Sequence, residues 1–210
     1  IVRYLGGAAS SGGTVAAGTG SATNYTLQTF TTTGGNTLTL SPMAATFSGN
    51  ITGTGALTAS PSANGKFTFT GANTYNGGTT ISSGTLQVGN AGVAGTLGAL
   101  SANVINNANL VFNRTDALSY SGVFSGTGAL TVQSTGNLTL TGVASYTGLT
   151  TVNSSGNSIT YTNNTPPSTS GFAGAGTVTI QPATNGSFSS AVNTSAYSLV
   201  TTLTGLTLGS

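Results

Sequence analysis

Residues 74–90 read TYNGGTTISSGTLQVGN, a stretch that sets Gly77-Gly78 and Ser82-Ser83-Gly84 around two short runs of Thr, Ile, Leu and Val and contains no charge. Two kinds of chain use such a string. One is a flexible Gly/Ser linker; the other is a series of short strands folded back and forth, with Gly wherever the backbone turns. The surrounding sequence decides between them.

Residues of the A, V, I, L, M, F, W, Y and C set make up 37% of the 210 residues, charged residues 2%, and 33 residues are Gly. Net charge is almost nil, so self-repulsion does not hold the chain open. The large residues recur every second place with Thr, Ser or Asn between them: Thr37-Leu38-Thr39-Leu40, Lys66-Phe67-Thr68-Phe69-Thr70, Asn137-Leu138-Thr139-Leu140-Thr141, Ser158-Ile159-Thr160-Tyr161. A period of two puts the large side chains on one face of a strand and the hydroxyls on the other. No window carries a helical apolar stripe, and charged helix formers are nearly missing. The pattern predicts an all-β chain. At this length one β domain with a continuous core is enough, so residues 1–210 are read as a single unit, with residues 1–30 as a cap or assembly strand at its start. No Cys is present to make a disulfide framework, and no apolar run reaches the roughly 18 residues of a membrane helix. The start at Ile1 is read as a processed chain, as a removed signal peptide would leave it.

Internal repetition is the strongest signal. Ile51-Thr52-Gly53-Thr54-Gly55-Ala56-Leu57-Thr58 matches Phe124-Ser125-Gly126-Thr127-Gly128-Ala129-Leu130-Thr131 at six of eight positions with an offset of 73, and Phe172-Ala173-Gly174-Ala175-Gly176-Thr177-Val178-Thr179 is a weaker third copy. Downstream, residues 67–81 align with 138–152 at an offset of 71, the two missing residues falling in a Ser/Gly turn. Long repeats that hold several short strands imply a β-solenoid, in which each coil buries its apolar face against the next.

These residues also carry a resemblance. Gly-Thr-Gly-Ala-Leu-Thr, Leu-Thr-Leu-Thr-Gly, Tyr-Thr-Gly-Leu-Thr-Thr-Val and the block ending Gly84-Thr85-Leu86-Gln87-Val88-Gly89-Asn90 resemble the autotransporter-associated β-strand repeat of bacterial passenger regions, across roughly residues 47–152. The resemblance implies a right-handed parallel β-helix displayed outside the cell.

Solenoid physics answers the opening question on its own. Gly at corners supplies positive φ and lets coils approach closely. Thr, Ile and Val favour the strands between corners. Asn106-Asn107 is a candidate turn pair, since Asn tolerates the left-handed conformation. TYNGGTTISSGTLQVGN then reads strand, corner, strand, corner, strand. Residues 163–171, with Pro166-Pro167, read as a loop leaving the coil path, because proline lacks the ladder's donor.

The chemistry such a chain can perform is narrow. Its charged residues are Arg3, Lys66, Arg114 and Asp116, and it has no His and no Glu. General acid–base catalysis, a two-carboxylate glycosidase and a His-assisted nucleophile are all excluded, and neither a cofactor nor a metal has the ligands it needs. Lys66 reads as part of a solvated strand face rather than an activating amine. Arg114 and Asp116, two apart, read as a surface pair contributing at most about 1 kcal/mol. The few cations are far apart, which argues against nucleic acid. Gly53-Thr54-Gly55 and Gly126-Thr127-Gly128 lack the following helix of a dinucleotide loop. Asn-x-Ser/Thr triplets at Asn24, Asn50, Asn113, Asn137, Asn153, Asn163, Asn185 and Asn193 are expected by chance in a chain this rich in Asn, Ser and Thr.

Three non-enzymatic roles outside the cell are left. The first is a self-assembling filament, sheath or scaffold subunit, favoured by the low charge. Its assembly strands would be the apolar ends, Ile1, Val2, Tyr4 and Leu5 at one and Leu199, Val200 and Leu203 at the other, completing a neighbour's sheet end to end. The second is an adhesin-like passenger whose neutral hydroxyl face meets polysaccharide or other surfaces. The third is ice binding, ranked last because Thr-x-Thr at 37–39, 68–70 and 139–141 is too widely spaced for one ladder.

Overall fold

The computed structural model describes residues 44–61, 64–165 and 167–181 throughout, and beyond them the strands Arg3–Ala9, Thr14–Val15, Tyr25–Thr32, Thr37–Leu40, Ser198–Val200 and Gly205–Leu208. Ile1, Val2 and Leu203 lie outside the described residues. Every strand pairing is parallel. No helix occurs among the described residues.

Parallel neighbours cannot be joined by tight hairpins, so the chain winds. It visits a long sheet of eleven strands, a second sheet of six and a third of five. One coil shows the path: Asn109–Arg114 in the long sheet, Leu118–Tyr120 in the third, Phe124–Ser125 in the second, and back to the long sheet at Ala129–Gln133. Asn109 pairs with Ala129, one coil later. The fold is a β-solenoid, as the repeats predict.

The period-2 runs become the walls of its core. Phe67, Leu86, Leu110, Leu130, Thr150 and Phe172 stand in one register column of the long sheet, one per coil. Phe69, Val88, Phe112, Val132 and Val152 form the column beside it, and all of these residues are at most 3% exposed. Each aliphatic or aromatic member contributes roughly 1.5–3 kcal/mol by leaving water. The Phe47 ring meets Phe67 and Phe69 edge to face at 5.4 and 5.2 Å, the arrangement that aromatic quadrupoles favour.

Corners depend on glycine and asparagine in different ways. Gly53, Gly126 and Gly174 hold the same place in the three sequence copies, and their φ values are 107°, 104° and 97°. The weak third copy is therefore the same left-handed corner. Asn side chains act as struts between coils: Ala72 N–H donates to Asn50 Oδ1 at 2.8 Å, Ile51 N–H to Asn73 Oδ1 at 2.8 Å, and Val123 N–H to Asn103 Oδ1 at 3.0 Å. Asn106-Asn107 does not turn in the left-handed region as expected. Asn106 ends the strand Val104–Asn106, with its amide donating to Ala129 O at 2.8 Å, and among the described residues the left-handed non-glycines are Ala91 and Ser134.

Two further expectations change. Thr74-Tyr75-Asn76 is a corner, not a strand: Thr74 N–H donates to Ile51 O and Asn76 N–H to Gly53 O, with no ladder on the other side. The strands of that stretch are Thr79–Ile81 and Thr85–Gly92. The segment around Pro167 stays on the coil path, because Ser168 and Ser170 N–H groups donate to Ala144 O and Thr147 O of the coil before.

The sequence repeat and the coil do not keep step. Thr79–Ile81 belongs to the second sheet, whereas its repeat partner Thr150–Val152 belongs to the long sheet. Phe67 and Phe69 lie in the long sheet and their partners Leu138 and Leu140 in the third. Equivalent residues of the two copies thus face different sides of the rod.

Candidate functional site

Buried tyrosines occupy the repeat's most specific position. In both copies the order Tyr-x-Gly-x-Thr sets a Tyr hydroxyl 2.7 Å from the Thr Oγ1 four residues on, Tyr75 with Thr79 and Tyr146 with Thr150. The intervening glycines are forced by space: a Cβ on Gly77 would lie 2.5 Å from the Ala56 nitrogen, and one on Gly148 would lie 2.1 Å from Gly128 O. In the second copy the hydroxyls extend into a network, with Tyr161 bonded to Tyr146 and Thr169 Oγ1 3.1 Å from Thr150 Oγ1. Thr169 Oγ1 also donates to Gly148 O at 2.6 Å. Among the described residues no buried side-chain polar atom lacks a partner. All of these hydroxyl-bearing residues are at most 3% exposed, and Thr169 ties its coil to the one before.

Burial pushes the phenols of Tyr75 and Tyr120 far above their ordinary range. The Thr79 hydroxyl offsets part of this at Tyr75, and the Leu97 N–H, 2.7 Å from the Tyr120 oxygen, offsets part at Tyr120.

Among the charged residues whose side chains are described, only Arg114 and Asp116 are brought together. Arg3 begins the first strand of the long sheet. Lys66 is exposed, as expected, with Nζ 3.3 Å from Gln87 Oε1. Arg114 and Asp116 do pair, at 2.7 and 2.9 Å, and the guanidinium holds the Asp116 carboxyl below its usual range. The pair is not the surface pair expected, because Arg114 is only 7% exposed. Its other donors reach back one coil, to Val93 O at 2.6 Å and to Gly95 O. Nothing in the local sequence shows these carbonyl partners, since they are brought near only by winding.

The outer faces are neutral. On the third sheet Thr139, Thr160, Thr179 and Thr207 fall in one register row. They are 21, 19 and 28 residues apart in sequence, and this uneven spacing is why Thr-x-Thr strings do not reveal the row. The strings themselves lie on three different sheets: Thr37 and Thr39 on the second, Thr68 on the long, Thr139 on the third. Large exposed apolar residues among the described ones are Val93, Leu100, Ile105 and Val143, and Tyr75, Tyr120, Tyr146 and Tyr161 are buried.

Of the predicted assembly residues, Tyr4 and Leu5 lie in Arg3–Ala9 at one end of the long sheet, and Leu199 and Val200 in Ser198–Val200 at the other. The winding places them at opposite ends of one stack.

Comparison with known proteins agrees with the repeat. The model of the passenger-associated-transport-repeat matches residues 64–88 and 130–156, which are the two Tyr-x-Gly-x-Thr blocks. A stretch of 47 residues, 22% of this chain, is 51% identical to the adhesin BmaC autotransporter of Brucella suis biovar 1 (strain 1330), of which it spans 1%. No solved structure matches.

Proposed function

We propose that this β-solenoid, which matches the passenger-associated-transport-repeat at two places, is displayed outside the cell as a stiff, non-enzymatic segment of an adhesin-like passenger. The observation that carries this reading is that both passenger repeats fold as coils of one stack whose exterior is hydroxylated and almost free of charge. A relative named as an adhesin supports the same role. Contact with the target surface, polysaccharide or protein, is made by many weak hydrogen bonds from Thr, Ser and Asn rows rather than by ion pairs.

That distinction is measurable. Beads carrying the chain should adhere to a polysaccharide-coated surface above a bare-bead control. Adherence should change less than about twofold when salt is raised from ~0.1 to ~1 M, over which the screening length falls from ~10 to ~3 Å. No adherence above control, or adherence abolished by salt, contradicts the reading.

End-to-end assembly is the second reading, supported by the strand-prone apolar segments Tyr4-Leu5 and Leu199-Val200 in the end strands of the long sheet. An open strand there takes another by backbone hydrogen bonding.

A further inference from the structure

The coil joining Thr85 to Asn109 is four residues longer than the one joining Asn109 to Ala129. Its ladder breaks between Val88 and Gly92, and the extra residues gather in the segment 89–100. Here, one coil later, the third sheet begins. Its first strand, Leu118–Tyr120, has a ladder neighbour on one side only, Asn137–Leu140. The other flank is met by 89–100, which makes no ladder with it. The segment instead brackets the strand: Thr115 N–H donates to Gly92 O at 3.1 Å before it, and Ser121 N–H to Leu100 O at 2.8 Å after it. Between the brackets Leu97 N–H donates to the Tyr120 hydroxyl.

The first half of this cover carries one strained residue. Ala91 sits in the left-handed region at φ 56°, between Gly89 and Gly95, whose φ values of 82° and 97° cost glycine nothing, and Val93 is 68% exposed. A non-glycine residue there persists only where its surroundings hold it, and Arg114 holds the segment that follows. The guanidinium bonds to Val93 O and Gly95 O, and Asp116 accepts from its Nε and Nη2. Two of the four charged residues in the whole chain are committed to this one tether.

We propose that residues 89–100 form a cover over an internal sheet edge, that the Arg114–Asp116 pair is its latch, and that the uncovered edge takes a strand from a second copy of this chain. Exposed parallel edges template strand addition unless covered. A second copy is the fitting occupant because every described strand already pairs in parallel with a strand of its own kind, and a net charge of +2 over 210 residues offers no repulsion. The latch therefore keeps the side of the rod from cross-pairing where copies are crowded.

Arg114→Gln and the milder Asp116→Asn test this by hydrogen exchange and by mass in solution. In the variant that keeps its core amides protected, amides 92–97 should exchange at least about tenfold faster, as expected for losing a charge-assisted hydrogen bond. Dimers or larger species should appear alongside. Adding Ser119→Lys, a charge on the edge strand, should return the protein to the wild-type mass without slowing that exchange. The proposal is overturned if the cover is released and the mass stays at the wild-type value up to high concentration. It is equally overturned if self-association appears but Ser119→Lys leaves it unchanged, since the contact then lies elsewhere, for instance at the rod's ends.

Discussion

Replacing Gly126 by alanine is expected to cost about 2–5 kcal/mol, the sum of roughly 1–3 for overpacking and roughly 1–2 for a left-handed L-residue. The residue turns a corner at φ 104°, and a Cβ there would lie 2.2 Å from Asn106 O and 2.6 Å from Asn106 C. Both neighbours are backbone, so no rotamer change relieves them, and the two coils must separate. The control is Gly92→Ala, where nothing lies within 4 Å of the new methyl and φ is not positive. That change should be neutral or stabilising by up to about 1 kcal/mol through the unfolded chain. Urea midpoints of the two variants check the contrast. A Gly126→Ala loss under about 1 kcal/mol would mean that the coils are not packed as closely as described.

The second large effect is alkaline. Tyr75 and Tyr120 are at most 0% exposed and their folded pKa values are raised, chiefly by burial. A raised folded pKa means stability is fully present below the unfolded value near pH 10 and is lost as pH climbs beyond it. At pH 12 each phenol, about two units above its unfolded pKa, withdraws roughly 3 kcal/mol. Together they remove a large part of the typical 5–15 kcal/mol stability of a domain. On the acid side only Asp116 contributes, and its depressed pKa places its loss below the usual carboxylate range. With no His or Glu present, the melting temperature should stay nearly flat from about pH 5 to 9 and fall steeply above pH 10. A sloping profile through neutrality would contradict this, since no side chain of this sequence has an ordinary pKa there.

How much of this was legible in the sequence differs by residue. Thr37–Leu40, Lys66–Phe69, Asn137–Leu140 and Ser158–Thr162 are strands where alternation places them, because a period of two is a local property that neighbours do not override. The three Gly corners were legible for the same reason. The assignment of strands to faces was not. A repeat of 71–73 residues is not a whole number of coils, whose lengths are set by loops that lengthen freely, so Tyr75 and Tyr146 look interchangeable in sequence yet stand on different sides. Arg114 was misread because its partners, Val93 O and Gly95 O, are main-chain atoms one coil away, and no side-chain pattern encodes them. The Thr139, Thr160, Thr179 and Thr207 row was hidden by coils of unequal length. The likeness to the passenger-associated-transport-repeat was readable from the repeat blocks alone, since Gly, Tyr and Thr there are fixed by close backbone approach and one buried hydrogen bond.

The account rests on coils stacked in register along one axis. Spin labels on Thr46 and Thr151, outward positions joined through Thr68, Gln87, Val111 and Thr131 by successive pairings, give the most direct test. Five parallel steps of ~4.8 Å predict backbones about 24 Å apart with a narrow distribution. A broad distribution, or a separation beyond roughly 35 Å, would contradict the stacked solenoid.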